Sequence, residues 1–327
     1  MRPYQYRCND YSWLTPTFKR WVISPLTKLV PWSIPANIIT LTSNLFVYFG
    51  LFLSFRAHPS KPLYALSIAA CLIIYLIGDH LDGMQAKRTG TGSALGEFCD
   101  HYLDSFNNGI IIYTLFNVFG LTNGALISGV IAISYLAHMA VFYEQFRTGW
   151  LTFEKIGSLE GVMLSAIIIA LSSMSSVYHL MLQRVVAGYT VIEIFVLGSA
   201  GGALITFLQT LKRTAVVQNG YWLYTALMLL LAIALPFLLT TYQVFAILTL
   251  YASLYIGRLM FGHLIDGIER QTDIIVPLAI ILSYLLKPNN SVIYPLVAVY
   301  LLVMILILIV KTFSVLGIYW VWQNPKI

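Results

Sequence analysis

Long, uninterrupted apolar runs constrain this chain more than any other feature. The run Leu301–Val310 has ten apolar residues in succession and lies inside a longer apolar stretch. A helix that crosses a bilayer needs about 20 mostly apolar residues, and only helices and closed barrels satisfy their backbone groups in lipid. Barrel strands would alternate apolar and polar residues, and this sequence shows continuous runs instead. The runs therefore predict an all-α, polytopic bundle of transmembrane helices.

The composition excludes the common soluble classes. Only 10% of the 327 residues are charged and 59% are hydrophobic, whereas a soluble domain has about a quarter charged residues. The mean hydropathy is +0.80, so a soluble enzyme, a secreted disulfide scaffold, a coiled coil and a disordered tail are all excluded. The sequence has three cysteines, Cys8, Cys71 and Cys99, whose number and spacing match neither a disulfide framework nor a metal site. The net charge of +6 suits anionic lipid surfaces, and because the basic residues are scattered we expect no nucleic-acid partner.

Turn signals divide the chain into about ten predicted spans. We place them at 36–56, 63–84, 97–119, 122–146, 160–176, 179–210, 219–240, 242–262, 273–287 and 291–313. With both termini on one side, that side holds 15 of the 19 lysines and arginines, which predicts cytoplasmic termini. Before the first span, Thr17–Val30 mixes basic and apolar residues and predicts an interfacial amphipathic helix broken by Pro25. The alternative for this stretch is a loosely held basic arm.

The acidic residues are concentrated in one place. Five of the 13 lie between positions 79 and 104, at the ends of predicted spans two and three: Asp79, Asp82, Glu97, Asp100 and Asp104. A carboxylate near a bilayer costs several kcal/mol unless it is paired, hydrated or bound to a cation. A bound metal explains five such groups better than chance does.

The spacing of the four aspartates supports a metal site. Asp79 and Asp82 are three residues apart, and Asp100 and Asp104 are four apart, so each pair shares a helix face. A short loop makes the two helices antiparallel, which predicts that the four carboxylates converge. Carboxylates without cysteine or clustered histidine select Mg²⁺, Mn²⁺ or Ca²⁺. Four of them would hold two ions about 3.5–4 Å apart, as in phosphoryl-transfer sites.

Small and basic residues follow the first aspartate pair. Gly83 and Ala86 lie one turn further on and would let a ligand approach the backbone. Lys87 and Arg88 come next and would neutralise phosphates. The alternative is that the small residues serve helix packing and the basic ones only fix the topology.

These residues match a known pattern. The pattern resembles the signature of the CDP-alcohol phosphotransferases. Here it covers Asp79-x-x-Asp82-Gly83-x-x-Ala86-Lys87 and, after eight intervening residues, Gly96-x-x-x-Asp100-x-x-x-Asp104. The usual Arg of that signature is Lys87 here. Further stretches resemble the choline/ethanolamine phosphotransferase branch: Pro35–Thr40, Gln85–Thr89, Leu95–Ser105, Tyr143–Leu151 and Gly157–Gly161. The matched stretches lie within 34–161, and the remainder matches only in hydropathy.

The resemblance implies an enzyme of phospholipid synthesis. Phosphocholine or phosphoethanolamine would pass from CDP-choline or CDP-ethanolamine to the hydroxyl of diacylglycerol, with release of CMP, on two Mg²⁺ or Mn²⁺ ions. Asp79, Asp82, Asp100 and Asp104 would be the metal ligands. The apolar runs predict an integral membrane location, and the distribution of basic residues predicts that the loop between spans two and three, and with it the active site, faces the cytoplasm. We expect the membrane to be that of the endoplasmic reticulum or Golgi in a eukaryote, or the inner membrane in a bacterium. A homodimer stays open.

Residue roles follow from the same resemblance. His101 is the candidate base in this branch and Asp104 in the wider family; we favour His101, which Glu97, one turn earlier, would orient. The predicted nucleotide and phosphate contacts are Asn37, Asp82, Gly83, Ala86, Lys87, Arg88 and Gly96. Asn37 has capping of the first span as its alternative. Glu144 and Glu160 would shape the alcohol or nucleotide end, and would otherwise be solvated helix ends.

Three alternatives stay open at this point. In the first, the acceptor is ceramide or another lipid rather than diacylglycerol. In the second, the enzyme is a phosphatidyltransferase that uses CDP-diacylglycerol. A cation transporter is the rival of a different class, separable by assaying CMP release against ion flux. The resulting domain division is an N-terminal arm at 1–33, a catalytic membrane domain at 34–213 and C-terminal transmembrane helices at 214–327.

Overall fold

The computed structural model of the chain is almost entirely helical. It describes residues 5–58, 61–214, 216–286 and 290–317. Helices account for 78% of it, so the predicted all-α membrane bundle is confirmed. The first four residues of the predicted N-terminal arm and the last ten of the predicted C-terminal segment lie outside the described residues.

The N-terminal arm is a continuous helix, and the predicted break at Pro25 is wrong. After strand β1 (Cys8–Asp10), the helix consists of α1 (Thr15–Phe18), a π-helical segment (Lys19–Ile23) and α2 (Ser24–Leu29). Proline has no N–H, and its ring clashes with the carbonyl four residues earlier. The wider π turn accommodates it, since the Ser24 N–H donates to the Lys19 carbonyl five residues back.

Three long helices follow and carry the acidic motif. They are α3 (Ala36–Ser54), α4 (Pro62–Thr89) and α5 (Ala94–Val118). Gly78 lets α3 and α4 approach closely, because a Cβ there would lie 2.2 Å from the Ser43 Cβ. Gly90, with a φ of 67°, ends α4, and the Ser93 hydroxyl begins α5 by accepting from the Gly96 N–H at 3.1 Å. The tight link makes α4 and α5 neighbours with opposite directions.

One face of the N-terminal helix packs on α4. The Phe18 ring meets the His80 ring edge-on with centroids 5.3 Å apart, and the Thr27 hydroxyl lies 3.9 Å from the Met84 sulfur. On the helix itself, Ile23 is fully buried whereas Trp21 is 68% exposed. The helix is therefore amphipathic, with one face held by α4 and the other free to meet a membrane surface.

The middle of the chain corrects one predicted span. It contains α6 (Gly124–Thr148), β2 (Leu151–Phe153), α7 (Ser158–Leu171), α8 (Ser175–Met181), β3 (Arg184–Val186), β4 (Tyr189–Thr190) and α9 (Val191–Arg213). Strands β3 and β4 pair antiparallel, with Arg184 opposite Thr190. Ala187 and Gly188 both have positive φ, as a tight hairpin requires. The predicted span 179–210 therefore begins later, at Val191.

The remaining elements are helical. They are α10 (Asn219–Ala234), a 3₁₀ turn (Leu235–Phe237), α11 (Thr241–Phe261), a π-helical segment (Gly262–Asp266), α12 (Ile275–Leu286) and α13 (Asn290–Leu316). Seven helical segments within the described ranges are long and apolar enough to cross a membrane. Helix α5 is not among them because its N-terminal half carries the polar motif, and α7 and α12 are shorter. Together these ten helices occupy the positions of the ten predicted spans.

The chain forms two compact units. Within the described residues, the first unit comprises Asn9–Leu121 and Phe153–Val196. The second comprises Thr122–Thr152 and Leu197–Leu316, again within the described ranges. The core of the first unit includes Val47, Ile68 and Leu72, which are fully buried. The second unit is rich in fully buried tyrosines: Tyr135, Tyr143, Tyr221, Tyr224, Tyr251 and Tyr255.

Candidate active site

Three of the four motif aspartates meet in the first unit. Asp79 comes from α4, and Asp100 and Asp104 come from α5. One carboxylate oxygen of each lies within 4.8 Å of the others. All three side chains are half-buried. The ends of α4 and α5 thus bring three of the four predicted carboxylates together, and Asp82 is outside this group.

Asp82 is more deeply buried than the other three. It is 3% exposed, and its Oδ2 accepts a hydrogen bond of 2.5 Å from the Thr40 hydroxyl of α3. Its Oδ1 is buried and has no hydrogen-bond partner in the described part of the chain. The fourth aspartate is therefore fixed by the first span while one of its oxygens is left for another ligand.

The cluster fits a hard divalent cation. Within the described residues, Asp100 Oδ1, like Asp82 Oδ1, is buried without a donor, which is costly for a carboxylate. The same residues offer no lysine or arginine nitrogen within 4 Å of these four carboxylates. Oxygens bound to one Mg²⁺ lie up to about 4.2 Å apart, since each is about 2.1 Å from the ion. The oxygens of Asp79, Asp100 and Asp104 lie within 4.8 Å of one another, so a divalent cation between them would supply the missing charge and partners.

A polar network extends from Asp104 into the bundle. Asp104 Oδ1 accepts from the Tyr75 hydroxyl at 2.7 Å and from the Asn107 amide at 3.4 Å. The same Asn107 nitrogen donates to Asn44 Oδ1 on α3, and the Asn44 amide donates to the Thr40 carbonyl at 2.8 Å. Helix α3 therefore contributes to holding both Asp82 and Asp104.

Two histidines lie beside the cluster. His101, the predicted base, is 8% exposed, and its Nδ1 lies 3.9 Å from Asp100 Oδ2. Glu97, predicted to orient it, is also buried one turn earlier on α5. His80, which the sequence favours as structural, has its Nδ1 3.2 Å from Asp79 Oδ2 while its ring packs on Phe18. His80 thereby links the N-terminal helix to the first aspartate.

The predicted nucleotide contacts fall into two groups. Asn37 and Gly96 are neighbours, because a Cβ on Gly96 would lie 3.2 Å from Asn37 Oδ1. The absence of a side chain at Gly96 lets Asn37 Oδ1 approach the start of α5 closely. Gly83 and Lys87 are exposed on α4, Ala86 is half-buried, and nothing lies within 4 Å of a Cβ built at Gly83.

Arg88 has backbone partners in the N-terminal arm. Its guanidinium donates to the carbonyls of Thr27 and Val30 and stacks on the Trp32 ring at 4.6 Å. The buried Gln85 amide similarly donates to the carbonyls of Pro31 and Ile34, at 3.1 and 2.9 Å. These contacts fasten the end of the arm to α4, and the predicted phosphate role of Arg88 stays a prediction.

Glu144 and Glu160 also have protein partners. Glu160 accepts from the Ser12 hydroxyl at 2.5 Å and from the Leu14 and Gly157 amides, so it caps α7 and holds the N-terminal segment. Glu144, in the second unit, is 4% exposed and forms a two-bond ion pair with Arg213 at 2.9 and 3.0 Å. Both glutamates are thus engaged by the protein itself, and their role at the substrate alcohol stays a prediction.

Sequence reasoning missed the polar residues that support the aspartates. They are Thr40, Asn44, Tyr75 and Asn107. The sequence did indicate that two of them have a function, because Asn44 and Asn107 are amides in the middle of predicted spans, where polar side chains are costly. Which carboxylate each would reach depends on helix rotation, which the sequence does not specify.

Comparisons with known proteins identify relatives of this chain. No protein-family model matches the chain. An uncharacterized CDP-alcohol phosphatidyltransferase class-I family protein of Schizosaccharomyces pombe is 30% identical over 188 residues, which cover 52% of this chain and 46% of that protein. Choline/ethanolaminephosphotransferase 1 of Saccharomyces cerevisiae is 25% identical, over 59% of this chain and 52% of that protein.

A third relative carries a different name. CDP-diacylglycerol–serine O-phosphatidyltransferase of Encephalitozoon cuniculi is 34% identical over 157 residues, which cover 44% of this chain and 40% of that protein. The chain spans about half the length of the curated relatives it matches. The resemblance to the CDP-alcohol phosphotransferases, including choline/ethanolamine phosphotransferases, is therefore confirmed.

Proposed function

We propose that this chain is an integral membrane CDP-alcohol phosphotransferase. It transfers phosphocholine or phosphoethanolamine from the CDP-alcohol to the hydroxyl of diacylglycerol and releases CMP. The observation that carries the proposal is the meeting of Asp79, Asp100 and Asp104 within 4.8 Å, on the two helices that hold the family motif. A yeast relative bears the name of this activity.

The four aspartates are the proposed ligands of two Mg²⁺ or Mn²⁺ ions. When bound, such ions neutralise the diphosphate and stabilise the charge that develops on the leaving CMP. The chain's own contribution is to hold the carboxylates in place through Thr40, Tyr75 and Asn107. Asn37, Gly96 and the open space at Gly83 are proposed to receive the nucleotide, with Ala86, Lys87 and Arg88 as further contacts.

The proposed reaction is a single displacement at phosphorus. The acceptor hydroxyl oxygen forms a bond to the β-phosphorus, and the bond from that phosphorus to the bridging oxygen breaks. CMP leaves with the bonding electrons, and the hydroxyl proton passes to a base. We favour His101 as this base because Asp104 is already engaged by Tyr75, Asn107 and the other carboxylates. Glu97 is the proposed orienting residue for His101.

The location and domain division remain part of the proposal. The apolar helices make the chain an integral membrane protein. We propose an active site on the cytoplasmic side, in the endoplasmic reticulum or Golgi or in a bacterial inner membrane. Residues 34–213 are the proposed catalytic domain, because the motif stretches lie within 34–161.

The second candidate is a phosphatidyltransferase that uses CDP-diacylglycerol and a soluble alcohol. The observation that favours it is the similarity to the Encephalitozoon cuniculi protein, whose name specifies a CDP-diacylglycerol donor and a serine acceptor. Both candidates release CMP and transfer the other half of the CDP compound. That half is the phosphorylated amino alcohol in the first candidate and the phosphatidyl group in the second.

The test is a donor and acceptor panel with the purified protein. The full chain in detergent receives Mg²⁺ or Mn²⁺ and one of CDP-choline, CDP-ethanolamine or CDP-diacylglycerol. Diacylglycerol, an ether analogue, ceramide and serine are the acceptors, and CMP release is measured. Release that requires CDP-choline or CDP-ethanolamine together with a lipid hydroxyl supports the proposal. Release only with CDP-diacylglycerol selects the second candidate, and no release with any donor rejects both.

A further inference from the structure

A polar cavity opens in the second unit, away from the motif residues in sequence. Its volume is about 350 Å³. It lies at the start of α10 and beside the loop that follows the π-helical segment, and its lining residues are Gln218, Asn219, Gly220, Glu269 and Gln271. These side chains are amides and one carboxylate. Neither the family motif nor the proposed reaction uses any of them.

Glu269 has one satisfied oxygen and one without a partner. Its Oε2 accepts a hydrogen bond from the Tyr143 hydroxyl at 3.2 Å. The Gln218 side-chain amide is oriented so that both its nitrogen and its oxygen have partners, and in this orientation the nitrogen donates to the same Oε2 at 2.7 Å. Its Oε1 is buried and has no hydrogen-bond partner among the described residues. A buried carboxylate oxygen without a donor is costly, so it indicates a ligand that supplies one.

Gly220 lets that oxygen approach the start of α10 closely. A Cβ at Gly220 would lie 2.8 Å from Glu269 Oε1 and 3.7 Å from the Tyr255 hydroxyl. Within the described ranges, the Tyr255 hydroxyl is also buried without a partner. Two unpaired oxygens thus lie next to Gly220, which lines the cavity.

Glu269 is the acidic side chain of the described lining, and it would attract a cation. The nearby Arg147 guanidinium donates to the Gln218 oxygen at 3.1 Å, in the same paired orientation of that amide. Arg147 is therefore linked to Glu269 through the Gln218 amide, and it does not donate a hydrogen bond to Glu269 Oε1. Burial raises the pKa of the Glu269 carboxyl above its usual value, although Tyr143 and Arg147 oppose the shift. A bound cation would offset the cost of keeping this carboxylate charged.

We propose that this cavity binds a primary ammonium group through Glu269. Such a group has several N–H donors, which suit the carboxylate, the Tyr255 hydroxyl and the amide oxygens of the lining. A quaternary ammonium has no N–H to donate and is held by aromatic ring faces. The described lining side chains are amides and a carboxylate, and the neighbouring Tyr143 and Tyr255 approach through their hydroxyls. A divalent metal prefers several carboxylates, and the lining supplies one. The group would belong to a free amine or to the headgroup of an aminophospholipid.

Ethanolamine and choline form a matched pair of probes, because they differ only in methylation of the nitrogen. The full chain in detergent is titrated with each at neutral pH without a CDP donor, and the dissociation constant and melting temperature are measured. Mixed micelles with phosphatidylethanolamine or phosphatidylcholine form the second arm. We expect saturable stabilisation by the primary amine, as free ethanolamine, as the lipid or as both, and none by the quaternary partner.

Three variants assign the binding to Glu269. Glu269→Gln keeps the shape and should weaken amine binding by at least about tenfold, because hydrogen bonds to a charged group are lost. Asp10→Asn removes an exposed carboxylate elsewhere and should bind like the wild type. Asp100→Asn alters the proposed active site and should also bind normally, which separates this inference from the proposed function. Equal stabilisation by choline, undiminished binding by Glu269→Gln, or no response to either amine source would overturn it.

Discussion

The Thr40 hydroxyl of α3 donates a hydrogen bond to the Asp82 carboxylate of α4, and both side chains are buried. This contact joins the entry of the first span to the motif, 42 positions later in the sequence. It is possible because Gly78 allows the two helices to approach closely one turn before Asp82.

Replacing Thr40 should impair the metal site without unfolding the protein. Thr40→Val keeps the shape but removes the donor to Asp82, and a hydrogen bond to a charged group contributes about 1.5–3 kcal/mol. We expect at least about a tenfold loss in kcat/KM and a higher metal concentration for half-maximal activity. Thr40→Ser retains the hydroxyl and should rescue both quantities. An unchanged metal dependence in Thr40→Val would show that this contact does not support the site.

The clustered aspartates should bind a divalent ion even in the absence of turnover. Asp82→Ala or Asp100→Ala should abolish CMP release. In the presence of a metal chelator, the Asp100→Asn variant should be at least as stable as the wild type, because removing one of the clustered carboxylates reduces the repulsion among the others. Added Mn²⁺ or Mg²⁺ should raise the melting temperature of the wild type and not that of Asp100→Asn. Equal metal stabilisation of both proteins would place the ion elsewhere.

His101 should act on the acceptor hydroxyl rather than on the nucleotide. His101→Ala should lose at least about a hundredfold in turnover, within the range for general-base catalysis, while still binding the CDP-alcohol. Asp104→Asn should lose both turnover and stabilisation by metal, since Asp104 belongs to the cluster. Near-normal turnover of His101→Ala would remove it as the base and leave Asp104 in that role.

The neighbouring basic residues Lys87 and Arg88 should have separable effects. Arg88 donates to the Thr27 and Val30 carbonyls, whereas Lys87 is exposed. Arg88→Gln should therefore lower the melting temperature by at least about 3 °C and make the N-terminal arm easier to cleave with protease. Lys87→Gln should leave stability unchanged and raise KM for the CDP-alcohol. A raised KM with unchanged stability in Arg88→Gln would instead assign Arg88 to phosphate binding.

Glu269 should make stability depend on pH. Burial raises its pKa in the folded protein above the unfolded value, despite Tyr143 and Arg147 on α6. The folded state therefore holds the proton at a higher pH, so this contribution to stability is present below the unfolded pKa and is lost as pH rises through the folded one. In amine-free buffer, the melting temperature of the wild type should rise relative to Glu269→Gln from about pH 8 to about pH 5. Parallel melting curves for the two proteins would refute the raised pKa.

Much of the fold was predictable because a bilayer imposes a simple rule on sequence. Apolar length gave the positions of the spans and thereby the all-α class, since unsatisfied backbone groups are excluded from lipid. The two errors arose where local geometry overrides composition. Pro25 is accommodated by a π turn, and the apolar stretch before Val191 contains a hairpin rather than a helix start.

The sequence by itself determined that Asp79, Asp100 and Asp104 face one another. Helical periodicity places Asp100 and Asp104 on one face of α5, and the short glycine-containing link holds that face near the end of α4 that carries Asp79. Only the tertiary structure decided which neighbours hold them. Thr40, Asn44 and Tyr75 reach the aspartates through the rotation and close approach of α3 and α4, and Arg88 turns to the N-terminal arm. These contacts depend on distances between separate helices, which no periodicity within a single helix encodes.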